Sequence, residues 1–178
     1  MNAMNPVART CGTGGRLCTA CCKIDRDPFE KAHGAWCPQC IVGRGCALFG
    51  QPSRPWQCGK RSCDWRDGHG SDADRPDITK VMLESQTGTL AGDVRFLWEI
   101  SQGALNSSFA RQTMQEAVNR RLRFMLVYLS SRRILYLPEF VLSTIDADAI
   151  RGLDIEITQY KPGATVLGAQ SFQPALIN

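Results

Sequence analysis

The stretch FMLVYLSSRRILYLP, residues 124–138, consists of two apolar runs separated by serine and arginine residues. Short runs rich in aromatic and aliphatic residues, bounded by polar turn residues, are typical of strands. We therefore predict a strand in FMLVYLS (124–130), a second in RRILYLP (132–138) and a hairpin turn about Ser130 and Ser131. The first run is apolar on both faces, which indicates a central place in a sheet, and Pro138 ends the second.

Segments on both sides of this hairpin predict a small α+β region over residues 77–178. KVMLE (80–84) and IEITQY (155–160) are predicted strands, and SQTGTLAGD (85–93) suits a hairpin loop. VRFLWEI (94–100) alternates between apolar and charged residues, with Arg95 and Glu99 on the second face. Its apolar face is predicted to carry Val94, Phe96, Trp98 and Ile100.

One main helix is predicted in SSFARQTMQEAVNRRLR (107–123). Its apolar residues recur at helical spacing, at Ala110, Met114, Ala117, Val118 and Leu122. Ser107 or Ser108 can cap its start, and Glu116 with Arg120 forms a favourable i,i+4 pair.

The remaining segments complete the expected fold. Residues 139–151 are predicted helical, since Pro138 can stand near a first turn, and the tail after Lys161 is predicted to be loop. The predicted fold class is α+β, with a loop-rich cysteine region packed on a small, mostly antiparallel sheet.

All nine cysteines lie between Cys11 and Cys63, and the rest of the chain contains none. Residues 11–76 are rich in glycine and proline and have few apolar periodic stretches. Such a region needs a metal or a covalent cross-link to supply what an apolar core would provide elsewhere. Residues 66–77 are polar and turn-rich, so they are expected to connect residues 11–76 to residues 77–178 within one unit.

Length and composition are ordinary for a soluble globular protein. The chain has 178 residues, of which 43% are hydrophobic and 21% charged, which suggests one domain or one domain with a small appendage. No apolar run reaches the roughly 20 residues that cross a bilayer. The start, MNAMNPVARTCG, lacks the apolar segment of a secretory signal, so a cytoplasmic location with reduced thiols is expected.

The net charge of +4 is confined to the first part of the chain. Residues 1–76 hold eleven basic and seven acidic residues, whereas residues 77–178 hold ten of each. A basic region can indicate nucleic acid or an acidic partner. Metal-bound cysteines carry negative charge that would cancel the surplus. We therefore expect no nucleic-acid or membrane partner, and a protein partner stays open.

The spacing of the cysteines predicts a metal site. Cys18 and Cys21 form one C-x2-C pair, Cys37 and Cys40 form another, and fifteen residues separate the pairs. This matches the template for a tetrahedral zinc site, in which two tight turns aim four sulfurs at one ion about 2.3 Å away. Adjacent cysteines such as Cys21 and Cys22 rarely form a disulfide with each other.

The other cysteines indicate a second four-sulfur site or a polynuclear cluster. The predicted ligands are Cys18, Cys21, Cys22, Cys37, Cys40, Cys46, Cys58 and Cys63. Structural disulfides and buried free thiols are the alternatives, the latter best suited to Cys11. Zinc is the expected metal, with an iron–sulfur cluster or iron as the alternative, because thiolates bind all of them.

The runs CTACC (18–22), CPQCIVGRGCALF (37–49) and RPWQC (54–58) resemble the YkgJ-like, or CxxCxxCC, zinc- or iron-chelating domain family. The matching positions are Cys18, Cys21 and Cys22, then Cys37 and Cys46, then Arg54, Pro55 and Cys58. This chain adds Cys40 and the CDW run (63–65), and it has Phe49 where the family pattern has tyrosine.

The resemblance implies a metal-binding cysteine domain and leaves open whether the metal is zinc or iron. One related group, the flagellin lysine methylases, is thought to carry an iron–sulfur cluster. This chain is much shorter, so that activity is not expected here.

Other residues point to no reaction. No Ser/His/Asp arrangement and no carboxylate pair accompanies a motif, so we predict no catalytic residue. His33 and His69 are predicted to be surface residues. Trp36, Trp56 and Trp65 are predicted to pack around the metal and shield it from water.

Overall fold

A five-stranded mixed sheet forms the centre of the structure, a computed structural model that describes residues 18–24, 29, 31–60, 63–89, 92–139, 153–169 and 171–173. Its strands are β3 (Val81–Thr89), β4 (Gly92–Glu99), β5 (Arg123–Val127), β6 (Arg133–Pro138) and β7 (Glu156–Tyr160). Two small antiparallel pairs accompany it, β1 (Cys40–Ile41) with β2 (Gly45–Cys46), and β8 (Thr165–Gly168) with β9 (Ser171–Gln173). The helices are α1 (Cys21–Ile24), α2 (Trp56–Lys60), α3 (Pro76–Thr79) and α4 (Ser108–Asn119).

The strands of the large sheet stand in sequence order, β3-β4-β5-β6-β7. β3 with β4 and β5 with β6 pair antiparallel, whereas β4 with β5 and β6 with β7 pair parallel. The α+β class is thus confirmed, but the expectation of a mostly antiparallel sheet is wrong. Parallel strands need a crossover connection, and α4 provides it between β4 and β5.

The predicted hairpin at 124–138 is confirmed, with Phe124 opposite Tyr136 and Val127 opposite Arg133. β5 is the third of five strands, which is the central place that its apolar run predicts. The β3–β4 hairpin is longer than expected, because Ser85 and Gln86 pair with β4 and do not belong to a loop.

The tail after residue 161 was predicted to be loop, and this is wrong. It contains the hairpin of β8 and β9, whose residues 165–168 alternate between exposed and buried positions. The predicted helix at 139–151 lies, apart from its first residue, outside the described residues.

One face of the sheet packs against α4, as the helix pattern predicts. Ser107 caps α4 by accepting a hydrogen bond from the Ala110 amide at 3.2 Å. Phe124 and Tyr136 stack on this face with ring centroids 4.8 Å apart. The core between helix and sheet includes Leu97, Leu105, Ala110, Met114, Ala117, Val118, Phe124, Leu126 and Tyr136.

The opposite face is also apolar. Val94, Met125, Val127, Leu135 and Leu137 are buried there, and Phe96 and Trp98 pack against them. The predicted apolar face of β4 is therefore confirmed, but its second face is not a solvent face. Leu97 belongs to the core under α4 and Glu99 is buried, because the sheet is covered on both sides.

Within the part of the chain that the structure describes, no helix is both long and apolar enough to cross a lipid bilayer.

Candidate metal centre

The cysteine region is anchored to the sheet through an apolar cluster. Cys18 and Cys63 are each only 8% exposed, and they pack with Trp65 against Met82 and Ile100 of the sheet region. Cys21 packs against the same cluster. The two ends of the cysteine region therefore meet beside the first strands of the sheet.

Asp64 fixes the second of these ends at the edge strand β3. Its backbone amide donates to the Leu83 carbonyl at 2.9 Å. Its carboxylate accepts from the Ser85 amide at 2.8 Å and the Ser85 hydroxyl at 3.0 Å. Arg95 Nε lies 3.7 Å from the same carboxylate. Because Cys63 directly precedes Asp64, its position follows from these contacts.

A second anchor holds residues 31–34 against the loop between β5 and β6. His33 Nε2 lies 2.9 Å from the Tyr128 carbonyl oxygen, which requires this nitrogen to carry the proton. Gly34 has φ of +73°, and a Cβ there would lie 3.1 Å from Leu129 atoms. A glycine suits both the backbone angle and the close approach. His33 is thus partly buried in an internal contact, whereas His69 is exposed as predicted.

The thiols of Cys21, Cys22 and Cys40 come together at one place. Cys22 is hydrogen-bonded through its thiol to Cys21 and to Cys40. The Cys37 amide donates to the Cys22 carbonyl at 2.9 Å, which brings the second C-x2-C turn against α1. Within that turn the Cys40 amide donates to the Cys37 carbonyl, and the Gln39 amide approaches Cys37 Sγ at 3.4 Å.

Cys46 and Cys58 follow on neighbouring elements. Cys46 stands opposite Cys40 in the β1–β2 pair. Cys58 lies on α2, where its carbonyl accepts a hydrogen bond from the Arg54 guanidinium at 2.9 Å. All eight described cysteines are thiols, and no disulfide joins any of these eight.

The electrostatics of the group follow from its crowding. The hydrogen bond to Cys21 raises the pKa of the Cys22 thiol far above its ordinary value, and burial and the Cys40 thiol act in the same direction. Burial raises the pKa of Cys40, while hydrogen bonds to the Cys22 and Thr19 side chains act against this rise.

The grouping differs from the sequence template in one respect. The template joins Cys18 and Cys21 to Cys37 and Cys40, but it is Cys22 whose thiol contacts Cys40. Cys18 lies in the apolar cluster with Cys63. In the described residues, no group of three or more histidine, cysteine, aspartate or glutamate side chains has an arrangement that could hold a metal ion.

Three residues that hold the cysteines in place were not predicted as site residues. Thr19 is buried and its side chain is hydrogen-bonded to Cys40. Asp64 and Arg54 hold Cys63 and Cys58 through the contacts above. Thr19 and Asp64 each directly follow a cysteine and Arg54 lies in the RPWQC run, but their contacts depend on folding and have no sequence period.

The tryptophans are placed differently from the prediction. Trp65 is buried in the cluster with Cys18 and Cys63. Trp36 and Trp56 are 36% and 65% exposed, so the prediction that they shield a metal from water is wrong for them. They lie in a stretch that has too little apolar surface to enclose them.

A cavity of about 380 Å³ lies beside Trp65, between the loop that follows it, β4 and α4. Asp64 and Arg95 line it and are ion-paired with each other. Glu116 and Arg120, also in its wall, form a second pair at 3.2 Å. These two ion pairs therefore leave no net charge from these four residues in the lining of the cavity.

Comparison with family models, with curated proteins and with solved structures finds no match for this chain.

Proposed function

We propose that residues 18–63 bind a metal ion through cysteine thiolates, and that the metal serves mainly to hold this region folded. Zinc is the first candidate. The observation that carries the proposal is that no side chain in the stretch 31–58, which the structure describes throughout, is buried. A stretch with turns, two paired strands and a helix, but without a core of its own, needs another source of stability.

The donor atoms of this stretch are of the type that such a group takes, although their described positions form no arrangement that could hold a metal ion. Cys37, Cys40, Cys46 and Cys58 belong to it, and Cys21 and Cys22 approach it from α1. Thiolates are the ligands of structural zinc sites and of iron–sulfur clusters. Binding would replace thiol protons by the metal, and structural zinc contributes on the order of 10 kcal/mol to the folding of small domains. The resemblance to the zinc- or iron-chelating domain family supports the same proposal, and reduced thiols fit a cytoplasmic location.

A second candidate is a redox or metal-handling role with an iron–sulfur cluster. Cys22, Cys37 and Cys40 are only partly buried, so a group bound there would be within reach of solvent. A fully enclosed site with four protein ligands leaves no position for a substrate, whereas a partly exposed one does.

Elemental analysis and an absorption spectrum of anaerobically purified protein test the proposal. A colourless protein with stoichiometric zinc supports the structural role. A brown protein with iron and acid-labile sulfide supports the second candidate. Protein that folds fully without any of these metals overturns both.

Single substitutions test the ligand assignment. Cys21→Ser and Cys58→Ser are expected to lower the metal content and unfold the cysteine region, because each removes a sulfur ligand. Cys11→Ser is the matched control, since Cys11 is not among the predicted ligands and lies outside the described residues. Full metal content in the Cys21 and Cys58 variants would show that the assignment is wrong.

A further inference from the structure

The thiols of Cys22 and Cys40 are in contact, although seventeen residues separate them in the chain. Cys22 is the second residue of α1, and Cys40 ends the second C-x2-C turn at the start of β1. The Cys37 amide, which donates to the Cys22 carbonyl at 2.9 Å, holds this turn against the helix. A backbone contact and a side-chain contact thus join the same two segments.

The hydrogen bond between the two thiols has a direction. Cys22 donates it and Cys40 Sγ accepts it, since the bond disfavours ionisation of Cys22 and favours that of Cys40. The Thr19 hydroxyl donates to Cys40 Sγ in the same way. Donors stabilise negative charge on the sulfur that they contact, so Cys40 Sγ is the better nucleophile of the pair.

The contacts of these thiols favour one disulfide over its alternatives. Cys21 is hydrogen-bonded to Cys22, but adjacent cysteines reach the geometry of a disulfide only with strain. Cys37 shares a turn with Cys40, and Cys46 stands opposite it in the β1–β2 pair. The cysteine thiol to which Cys40 is hydrogen-bonded is nevertheless that of Cys22. The favoured bridge therefore joins Cys22 to Cys40.

A small oxidant can reach both sulfur atoms. Cys22 and Cys40 are partly exposed, whereas Cys18 and Cys63 lie buried in the apolar cluster. Access to solvent and a second thiol within contact are features of cysteines that undergo reversible oxidation.

We propose that Cys22 and Cys40 form a disulfide when the protein reacts with a hydroperoxide, and that this bridge releases the bound metal. With hydrogen peroxide, the Cys40 thiolate first attacks one oxygen atom. An S–O bond forms, the O–O bond breaks and hydroxide leaves. Cys22 Sγ then attacks Cys40 Sγ, so that the S–S bond forms, the S–O bond breaks and the departing hydroxide takes the Cys22 proton as water. The two sulfurs together lose two electrons, which the two peroxide oxygens gain.

The release of metal rests on the proposed function, in which Cys22 and Cys40 are both ligands. The bridge removes two thiolates from the predicted ligand set, and it is the thiolate that binds a metal. The same bridge ties α1 covalently to the second C-x2-C turn, so this attachment persists when the metal is lost. Exchange with an external thiol reduces the disulfide and restores both ligands.

Peptide mapping of the full chain, purified anaerobically and treated with an equimolar amount of hydrogen peroxide, tests the proposal. Free thiols are blocked with N-ethylmaleimide before tryptic digestion and tandem mass spectrometry. We expect a peptide in which Cys22 is joined to Cys40, and a fall of two in the number of free thiols per chain. Absorbance of 4-(2-pyridylazo)resorcinol should record metal release in proportion to the bridge.

Cys22→Ser isolates the first chemical step. Without a thiol in contact, the sulfenic acid at Cys40 should persist and be labelled by dimedone, a label that the wild type should lose as its bridge forms. Cys40→Ser should give neither the bridge nor a label at Cys22. Cys11→Ser is the control and should form the same bridge as the wild type. The mapping of the wild type needs no variant, so it decides the question even if a substitution unfolds the region.

The outcomes separate this proposal from that of the metal site. Metal-loaded protein whose thiols survive peroxide, or pair differently within or between chains, overturns the thiol pair and leaves the metal site standing. A Cys22–Cys40 bridge in a chain that is purified folded but without metal supports the thiol pair and overturns the metal site together with the release step. Bridged protein that keeps its metal contradicts the release step.

Discussion

Replacing Asp64 tests whether the cysteine region depends on its attachment to the edge of the sheet. The carboxylate accepts two hydrogen bonds from Ser85, at 2.8 and 3.0 Å, and lies 3.7 Å from Arg95 Nε. Removing a hydrogen bond to a charged group costs about 1.5–3 kcal/mol. The ion pair adds at most about 1 kcal/mol because both side chains are partly exposed.

For Asp64→Ala we expect a loss of about 2–3 kcal/mol in the free energy of unfolding. The value lies below the sum of the separate contacts because Ser85 is exposed, so water replaces part of what the carboxylate provides. Asp64→Asn is the matched control. Its amide oxygen can still accept from the Ser85 amide, and its loss should be about 1 kcal/mol.

Urea unfolding followed by circular dichroism measures both variants. Alkylation of Cys63 in the protein as purified, followed by mass spectrometry, reports the local effect. Cys63 is buried in the intact structure, so its alkylation should be slow in the wild type and faster in Asp64→Ala. A stability loss below about 0.5 kcal/mol in Asp64→Ala, or equal losses in both variants, would refute the assignment of Asp64 as the attachment point.

Two further predictions concern the sheet and its core. Leu97 on β4 is fully buried under α4, so Leu97→Ala should lower the free energy of unfolding in urea by about 2–5 kcal/mol. Leu167 is 48% exposed, so Leu167→Ala should change the same free energy by less than about 0.5 kcal/mol. Similar losses in the two variants would contradict the described packing. Burial raises the pKa of Tyr136 to about 12, and it also raises the pKa values of Tyr128 and Tyr160, which are the only other tyrosines of the chain. Because the unfolded pKa is about 10, the tyrosines contribute stability fully below that pH, and this stability is lost as the pH rises through the folded values. Tyrosinate absorbance of the folded chain should therefore appear at higher pH than in urea, and coincident titration curves would contradict this.

Local sequence pattern was sufficient for the elements whose stability comes from neighbours along the chain. The strands of 124–138 and the helix α4 were predictable because apolar residues at a period of two or of 3.6 must face a core. The cap at Ser107 follows from residues a few positions apart.

Such patterns do not determine whether neighbouring strands pair parallel or antiparallel. Alternation shows that a segment is a strand but not which neighbour it meets or in which direction, and only the crossover of α4 makes β4 and β5 parallel. The hairpin of β8 and β9 escaped prediction because its short strands are stabilised by packing on α4 and the sheet, through Val166 and Ala169.

The sequence alone identifies the candidate cysteine ligands, because the positions and spacing of the cysteines are given by the sequence itself. Which thiols meet was settled only by folding. Cys22 contacts Cys40 because α1 places it against the second C-x2-C turn, whereas Cys18 precedes α1 and packs with Cys63 in the apolar cluster. The exposure of Trp36 and Trp56 has the same origin. The solvent exposure of a large apolar side chain depends on which distant elements pack against it. Such long-range contacts produce no periodic pattern in the sequence.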